Sequence, residues 1–255
     1  MIDAADRLLD ARRTNKPIAD LPADLQPQSL EEAYCVQDRM ALAFEAIGGW
    51  KIGAPSADAV PIFAPMPQAW ISCSGCEMRG LTHRYRGLEA EIAFLIGEDL
   101  PAKKTAYSRE EVLGAVESCH PAIEVLESAF IDPTKVARLT MIGDMQMHGG
   151  FVYGPACPDW QHIDFSQEHV SLAVDGTVRV ERTGSNTSGD LLRLLPFLAN
   201  EGAARTGGLR RGEWITTGSW TGVTLASAGD TVNARFSTAG DVTLRFGEEG
   251  SELPD

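Results

Sequence analysis

The pattern of hydrophobic and polar positions predicts two helices at the N-terminus and a mainly β remainder. Apolar residues recur at helical spacing over residues 3–13 and over residues 33–47. Ser29 and Glu32 form a capping-box pattern ahead of the second run, and Gly48 and Gly49 follow it. The first fifty residues are therefore expected to pack as a small helical cap.

After this cap the pattern changes to short apolar runs separated by turn residues. A strand is predicted at residues 50–53, a proline-containing loop at 54–67 and mainly β structure from residue 69 onward. Asp175 and Gly176 form the strongest hairpin signal. Helices are predicted after Ser108, to about residue 118, and over residues 190–205, where Pro196 should introduce a kink. Further strands are predicted at residues 121–127, 215–219, 231–236 and 242–246, with an irregular segment at 132–148.

Two acidic residues lie close together on a predicted strand that ends near Gly97. Glu89 and Glu91 are two positions apart, so their side chains project from the same face of the strand. Like charges this close repel each other, and a hard divalent cation with oxygen ligands relieves the repulsion. From the pair alone, a solvated strand face is the simpler interpretation. A third carboxylate in a matching context is needed to indicate a metal site.

Composition narrows the classes of function. The 255 residues suit one large domain or a main domain with a smaller appendage, and the formal net charge of −14 gives no electrostatic footprint for nucleic acid. An acidic surface also argues against an anionic membrane, and no apolar run has the length of a membrane span. Acidic residues occupy the N-terminus where a signal peptide would be basic and then apolar, so the expected location is the cytoplasm.

Cysteine usage does not indicate a disulfide framework. The five cysteines are an odd number in a chain too long to need disulfide staples. Cys73 and Cys76 form a lone CxxC without a second pair at zinc-finger spacing. We interpret it as structural, with a reactive dithiol as the alternative.

Glu124, on the strand predicted at residues 121–127, is the third carboxylate. Together with Glu89 and Glu91 it resembles the metal site of the fumarylacetoacetate hydrolase superfamily, and the chain is most similar to the branch of 2-keto-4-pentenoate hydratases and 4-oxalocrotonate decarboxylases. The resemblance covers nearly the whole length. Matching fragments, in order, are residues 33–37, 49–53, 88–94, 123–127, 143–144, 151–154, 197–200 and 215–219.

The resemblance implies an α+β fold with a mixed β-roll. It predicts a helical N-terminal part with the active-site lysine strand over residues 1–69 and a metal-binding catalytic β-roll over residues 70–255. The implied cofactor is Mg²⁺ or Mn²⁺, held by Glu89, Glu91 and Glu124. A 2-oxo acid can chelate such an ion, which then acts as a Lewis acid for hydration, decarboxylation or carbon–carbon hydrolysis.

Four further residues match positions of the family's site, and a fifth candidate, His148, lies in the same loop as one of them. Lys51 matches the active-site lysine; partial desolvation is expected to lower its pKa and to suit it to proton transfer or to holding a carboxylate. Asp144 matches a loop acid with an orienting or proton-transfer role, and His148 in the same loop could activate water. Thr217 and Ser219 match a substrate-side turn. Without the resemblance, Lys51 would be interpreted as a lysine at a strand edge, Asp144 as a turn residue and His148 as a polar residue with satisfied hydrogen bonds. Thr217 and Ser219 would be interpreted as part of an ST-turn.

Two segments differ from the hydratase pattern. The loop after the lysine strand usually carries an acid followed by Phe-Gly, and residues 59–65 lack both the acid and the glycine. Residues 143–147 read Gly-Asp-Met-Gln-Met where the family usually has Ala-Asp-Asn and a following serine. Both lie where substrate discrimination and proton transfer are expected.

The resulting prediction is a metal-dependent lyase that hydrates a 2-hydroxy-2,4-dienoate in aromatic catabolism. The substrate reacts as its 2-oxo tautomer, a small 2-oxo acid. The alternatives are a 4-oxalocrotonate-type decarboxylase, an acylpyruvate-type hydrolase with His148 as base, and a non-catalytic partner subunit. The resemblance also implies a homo-oligomer and association with a related pathway enzyme.

Overall fold

The computed structural model describes residues 2–78 and 84–248. The α-helices are α1 (Ile2–Arg13), α2 (Leu30–Ala41), α3 (Arg109–Gly114), α4 (Arg138–Gly143) and α5 (Leu194–Phe197). Short 3-10 helices span Gln68–Trp70, Pro133–Lys135, Met145–Met147, Trp160–His162, Leu191–Arg193 and Ala203–Thr206, and a π-helical turn spans Leu198–Gly202.

The strands are β1 (Ile47–Gly53), β2 (Ile62–Pro67), β3 (Ile71–Cys73), β4 (Cys76–Met78), β5 (Gly87–Ile96), β6 (Leu100–Pro101), β7 (Val116–Leu126), β8 (His148–Tyr153), β9 (His169–Val174), β10 (Thr177–Thr183), β11 (Gly208–Leu209), β12 (Trp214–Thr216), β13 (Thr224–Leu225), β14 (Thr231–Phe236) and β15 (Gly240–Phe246). The α+β class predicted from the sequence is confirmed.

The larger sheet runs in the order β2-β1-β12-β5-β7-β8-β3, with β13 also paired to β5. Most of its neighbours are antiparallel, whereas β1 with β12 and β3 with β8 are parallel. The expectation of a loop over residues 54–67 was wrong for its second half, because Ile62–Pro67 forms β2. Its prolines are tolerated because β2 is the last strand in the sheet order and pairs only with β1.

The smaller sheet runs in the order β10-β9-β14-β15-β4. Strands β9 and β10 form the predicted hairpin, in which Asp175 (φ 48°) and Gly176 (φ 72°) take the left-handed conformation of a type I′ turn. The main hydrophobic core lies between the two sheets. It contains Ile92, Phe94, Ile123 and Val125 from the larger sheet, and Leu172, Val232, Phe236 and Leu244 from the smaller one.

The N-terminal helices pack against the larger sheet through a second cluster. Leu8 of α1, Val36 and Met40 of α2, and Phe130 are buried together in it. Helix α2 begins as predicted, with the Ser29 hydroxyl accepting a hydrogen bond from the Glu32 amide. It ends at Ala41 rather than near residue 47, since the chain from Ile47 joins the sheet as β1.

Three other boundaries differ from the sequence predictions for physical reasons. Helix α3 has the predicted capping box but ends at Gly114, because residues from Val116 are taken into the long β5–β7 pairing. The helix predicted over residues 190–205 is broken into short 3-10, α and π pieces around Pro196, which cannot donate a helical hydrogen bond. The segment 132–148 contains α4 and two 3-10 turns.

No helix in the described part of the chain is long and apolar enough to cross a membrane.

Candidate active site

Pairing between the central strands brings the three carboxylates together. Glu89 of β5 lies directly opposite Glu124 of β7, and Glu91 is two residues further along β5 on the same face. One carboxylate oxygen from each residue lies within 4.8 Å of the others. Glu91 and Glu124 are buried and Glu89 is half-buried. The alternate residues of β5, such as Ala90 and Ile92, face the main core, which fixes the direction of the acidic side chains.

The protein binds each of the two buried carboxylates, Glu91 and Glu124, through one of its two oxygens. Glu91 Oε2 accepts hydrogen bonds from the Thr216 hydroxyl and, at 2.9 Å, from the Gly218 amide. Glu124 Oε1 accepts from Lys51 Nζ at 2.6 Å and lies 2.9 Å from His148 Nδ1. Glu124 Oε2 is buried and has no hydrogen-bond partner among the described residues. The arrangement leaves oxygen atoms free toward the middle of the triad.

Burial and mutual repulsion distort the pKa values of this cluster. Burial, reinforced by the charge of Glu124, raises the pKa of Glu89 and raises that of Glu91 well above its ordinary value. Burial also acts on Glu124, but the charge of Lys51 and the hydrogen bond with His148 outweigh it and lower the pKa of Glu124. The triad is electrostatically costly without a cation at its centre.

Lys51 lies on β1, three strands away from β7, and its side chain reaches Glu124. Its side chain is 12% exposed, and Nζ also donates to the Gln146 carbonyl at 3.0 Å. Burial alone would lower the pKa of Lys51, but the charges of Glu124, Glu89 and Glu91 raise it. The expected lowering of the lysine pKa is therefore wrong for this structure. Lys51 is an ammonium group held among carboxylates.

His148 begins β8 and is fully buried. Burial lowers the pKa of His148 despite the neighbouring Glu124. Because ionised Glu124 can only accept, the neutral imidazole carries its proton on Nδ1, and Nε2 remains as an acceptor. Nε2 has no partner among the residues described. The ring also stacks on Trp70, with centroids 5.9 Å apart.

The two predicted substrate-side residues face in different directions. Burial raises the pKa of Glu89, and a hydrogen bond from Ser219 partly offsets that rise, so Ser219 lies at the triad. The Ser219 Oγ also accepts from the Gly222 amide at 2.9 Å. The Thr217 hydroxyl instead donates to the Ile92 carbonyl at 2.7 Å. Thr217 thus fastens the turn to β5.

Asp144 lies outside the carboxylate cluster. Oδ1 accepts from Arg12 Nε at 2.6 Å, and Oδ2 accepts from the Ser128 hydroxyl and the Ala129 amide, both at 2.9 Å. The carboxylate is fully buried, and these contacts occupy both of its oxygens. This geometry suits an orienting role; Asp144 as a proton-transfer residue stays a prediction.

Three residues at or beside the site were not predicted: Gln146, Thr216 and Arg12. Thr216 could have been found from strand alternation, because β12 pairs with β5 and Thr216 lies opposite Ala93, two residues from Glu91. Gln146 contacts Lys51 through its backbone carbonyl, and three of the four hydrogen bonds of Arg12 go to backbone carbonyls. No residue-type pattern reports such contacts.

The family model described as fumarylacetoacetate (FAA) hydrolase C-terminal matches residues 72–246. The chain belongs to this family. The match contains Glu89, Glu91 and Glu124 and begins after the segment that carries Lys51.

Curated relatives of this family member extend the likeness to nearly the full length. A 2-hydroxyhexa-2,4-dienoate hydratase of Comamonas testosteroni is 26% identical over 255 residues, which cover 95% of this chain and 96% of the relative. A 2-keto-4-pentenoate hydratase of Paraburkholderia xenovorans is 25% identical and covers 96% and 94%. A 4-oxalocrotonate decarboxylase of Pseudomonas putida is 25% identical over 159 residues, which cover 62% of this chain and 59% of the relative.

Solved structures confirm the fumarylacetoacetate hydrolase-like fold. A 4-oxalocrotonate decarboxylase from Pseudomonas putida G7, complexed with magnesium and adipate, superposes with a TM-score of 0.83 at 22% identity and covers 96% of both chains. A 2-hydroxyhepta-2,4-diene-1,7-dioate isomerase from Mycobacterium marinum gives a TM-score of 0.60 at 19% identity, over 80% of this chain and 77% of the other.

Proposed function

We propose that this protein is a divalent-metal-dependent hydratase that adds water to a 2-hydroxy-2,4-dienoate and yields a 4-hydroxy-2-oxo acid. The main support is the triad of Glu89, Glu91 and Glu124, in which Glu124 forms an ion pair with Lys51. The nearly full-length likeness to dienoate hydratases supports hydration as the reaction.

The residues of the triad fit a hard divalent cation such as Mg²⁺ or Mn²⁺. Three carboxylates supply the oxygen donors that such ions prefer, and the buried, unpartnered Glu124 Oε2 is a donor atom in need of a cation. The raised pKa values of Glu89 and Glu91 show the electrostatic stress that a cation would relieve. When bound, the ion would supply Lewis-acid polarisation of the substrate's 2-oxo group.

The protein's own residues account for the proton movements of hydration. The enol first loses its proton and carbon 5 gains one, which gives the 2-oxo-3-enoate tautomer. Water oxygen then bonds to carbon 4, a proton reaches carbon 3, and the water gives up one proton in return. We propose that the Lys51 ammonium delivers a proton, which its orientation by the Gln146 carbonyl supports. His148 is held at Nδ1 by Glu124. Its role as the base that takes a proton from water stays a prediction, because Nε2 is buried and has no partner among the described residues. Ser219, beside Glu89, supplies a hydroxyl at the substrate side.

Decarboxylation of a 2-oxo-3-enedioate is the second candidate. It is favoured by the relatives named 4-oxalocrotonate decarboxylase, although each covers only 62% of this chain. The same triad and Lys51 would serve it, because polarising the 2-oxo group also stabilises charge left when carbon dioxide departs.

The deciding experiment follows the ultraviolet absorbance of 2-hydroxypenta-2,4-dienoate and of 4-oxalocrotonate with Mg²⁺ or with EDTA. Product analysis separates a 4-hydroxy-2-oxo acid from released carbon dioxide. We expect metal-dependent loss of the dienoate with incorporation of water. Carbon dioxide release as the main metal-dependent reaction would transfer the assignment to decarboxylase, and turnover of neither compound would contradict both.

The broader setting is proposed from the resemblance and the similar proteins. We place the enzyme in the cytoplasm as a homo-oligomer that associates with a related pathway enzyme. The division into a helical part with the lysine strand (residues 1–69) and a catalytic β-roll (residues 70–255) is likewise a proposal, supported by the family match beginning at residue 72.

A further inference from the structure

Arg12, in the last turn of α1, binds the loop that borders the active site. Its Nε donates to Asp144 Oδ1 at 2.6 Å, and Nη2 donates to the Asp144 carbonyl at 3.0 Å. Nη1 donates to the His148 carbonyl at 2.8 Å, and Nη2 also donates to the Glu127 carbonyl at 3.0 Å. The side chain is only 8% exposed. Three of these four acceptors are backbone carbonyls. Arg12 therefore restrains the backbone of this loop in addition to pairing with the Asp144 carboxylate.

The loop held by Arg12 has an unusual backbone. Met145 (φ 53°), Gln146 (φ 51°) and Met147 (φ 63°) are three consecutive non-glycine residues in the left-handed region. L-residues rarely adopt this conformation, and such strain persists only where the surroundings impose it. Arg12 binds the residues immediately before and after these three, Asp144 and His148. The guanidinium therefore restrains both ends of the strained segment.

The same segment supplies two contacts to the reacting groups. The Gln146 carbonyl accepts from Lys51 Nζ at 3.0 Å, and His148 Nδ1 lies 2.9 Å from Glu124 Oε1. If the segment relaxed, Lys51 would lose its second partner and Glu124 would lose the imidazole that orients it. Within the described residues, the Arg12 guanidinium hydrogen-bonds to Asp144, His148 and Glu127 and not to the triad.

We propose that Arg12 is a positioning residue of the active site, which locks residues 144–148 so that Gln146 and His148 orient Lys51 and Glu124. The inference deepens the proposed hydratase function and rests on it. Helix α1 lies outside the region matched by the family model. Under this proposal it helps to position the active-site residues through Arg12. The planar fork of arginine suits several acceptors at once, which a lysine cannot reproduce.

The competing interpretation is that Arg12 only neutralises the buried Asp144. Removing the cation would then lower stability by leaving an unpaired buried carboxylate. Asp144→Asn removes that charge while nearly keeping the side-chain shape. The two interpretations therefore differ in the double variant Arg12→Met/Asp144→Asn, where no unpaired charge remains but the three carbonyl contacts of Arg12 are still absent.

The test is a double-mutant cycle of wild type, Arg12→Met, Asp144→Asn and the double variant, with Arg12→Lys as a further variant that keeps the charge. For each protein, kcat and KM for 2-hydroxypenta-2,4-dienoate are measured at saturating Mg²⁺. Mn²⁺ affinity is measured by calorimetry without substrate, and stability by thermal unfolding.

We expect Arg12→Met to lower kcat at least tenfold with KM changed less than threefold, and to weaken Mn²⁺ binding about tenfold, as is typical for partners of metal ligands. The double variant should recover thermal stability relative to Arg12→Met but neither kcat nor Mn²⁺ affinity. Arg12→Lys should remain folded and show a similar loss of kcat. If the double variant matches Asp144→Asn in kcat and Mn²⁺ affinity within about twofold, the positioning role is wrong.

Arg205→Met is the matched control. Arg205 also ties a helix to a distant segment through carboxylates, Glu31 and Asp38, and its side chain is 22% exposed. It should lose stability while keeping kcat, and an equal loss of kcat in Arg205→Met and Arg12→Met would count against the proposal. If the wild type does not convert the dienoate, the proposed function fails, but the Mn²⁺ affinities of the cycle still decide the role of Arg12.

Discussion

At the residue scale, the site depends on how unlike charges are distributed around Glu124. Its Oε1 takes both the ammonium of Lys51 and the imidazole of His148, whereas Oε2 has no partner in the described part of the chain. One oxygen is therefore positioned by the protein and the other is left for a cation. This division is compatible with the proposed double role of Glu124 as an anchor for Lys51 and a metal ligand.

Replacing Lys51 by methionine tests its role in proton transfer. The change removes the ammonium but keeps an apolar side chain of similar length. We expect kcat for dienoate hydration to fall by roughly 10²–10⁴, the usual range for a proton-transfer group. Lys103→Met is the control, because Lys103 forms a solvent-accessible ion pair with Glu111. Unchanged kcat in the Lys51 variant would remove this residue from the mechanism.

Glu213 offers a residue-scale prediction that depends on pH. Burial raises the pKa of Glu213, while its Oε2 accepts from Trp50 Nε1 at 3.2 Å. For an acid with a raised pKa, the folded state binds the proton more strongly than the unfolded state. Folding is therefore penalised above the folded-state pKa, and the penalty disappears below the ordinary value of about 4.5.

Glu213→Gln should therefore stabilise the protein at pH 8 by up to about 1 kcal/mol, or about 2–4 °C in Tm. The amide oxygen can still accept from Trp50. The advantage should shrink as pH falls toward 4.5, as measured by thermal unfolding across that range. A stability difference that is independent of pH would show that the charge of Glu213 is not the cause.

At the element scale, the parallel pairing of β1 with β12 carries Lys51 to the triad. Lys51 lies opposite Thr216, the residue whose hydroxyl holds Glu91. The pairing requires close backbone approach at Gly49, where an added Cβ would lie 2.4 Å from the Trp214 carbonyl oxygen. A glycine here is thus a packing requirement of the strand and not a helix terminator.

Gly49→Ala tests this pairing. The added methyl must displace β1 from β12, so we expect a loss of about 1–3 kcal/mol in the free energy of unfolding, measured with urea, together with reduced kcat because Lys51 moves with its strand. Gly114→Ala is the control, since an added Cβ there meets nothing within 4 Å. The control should be neutral or slightly stabilising. Equal stability of the two variants would contradict the close-approach argument.

At the scale of the whole molecule, metal binding and folding stability are coupled. The triad joins two strands at the centre of the larger sheet, and under the proposed function a bound cation would relieve the repulsion among its carboxylates. A ligand that binds only the folded state stabilises it by about 2.7 kcal/mol at a concentration 100 times its Kd. Mn²⁺ or Mg²⁺ should therefore raise Tm, and EDTA should reverse the change.

Glu91→Gln provides the matched variant for this coupling. Gln keeps an oxygen for the Thr216 hydroxyl and the Gly218 amide but removes one of three clustered charges. We expect the metal-free variant to be more stable than metal-free wild type and to gain little from Mn²⁺ in thermal unfolding. A variant that responds to Mn²⁺ as strongly as wild type would exclude Glu91 as a ligand.

The sequence by itself determined the local elements whose signals are short-range. The Ser108 capping box, the Asp175–Gly176 turn and the two-residue spacing of Glu89 and Glu91 depend on neighbouring residues, and the structure shows each of them as predicted. Ser29 caps α2 as predicted, but the Glu32 carboxylate accepts from the Gln28 amide and does not complete the box. The third carboxylate, Glu124, and Lys51 came from the family resemblance, because nothing local links β1, β5 and β7.

Tertiary structure decided everything that depends on segments far apart in the chain. It shortened α2, made residues 62–67 a strand, raised rather than lowered the pKa of Lys51, and turned Asp144 toward Arg12. It also produced the left-handed backbone at residues 145–147, where the sequence has no glycine to indicate a positive φ. In each case packing against a distant element, or its charge, outweighs the conformation or pKa that the neighbouring residues favour. The order of residue types along the chain does not show which distant element will be the partner.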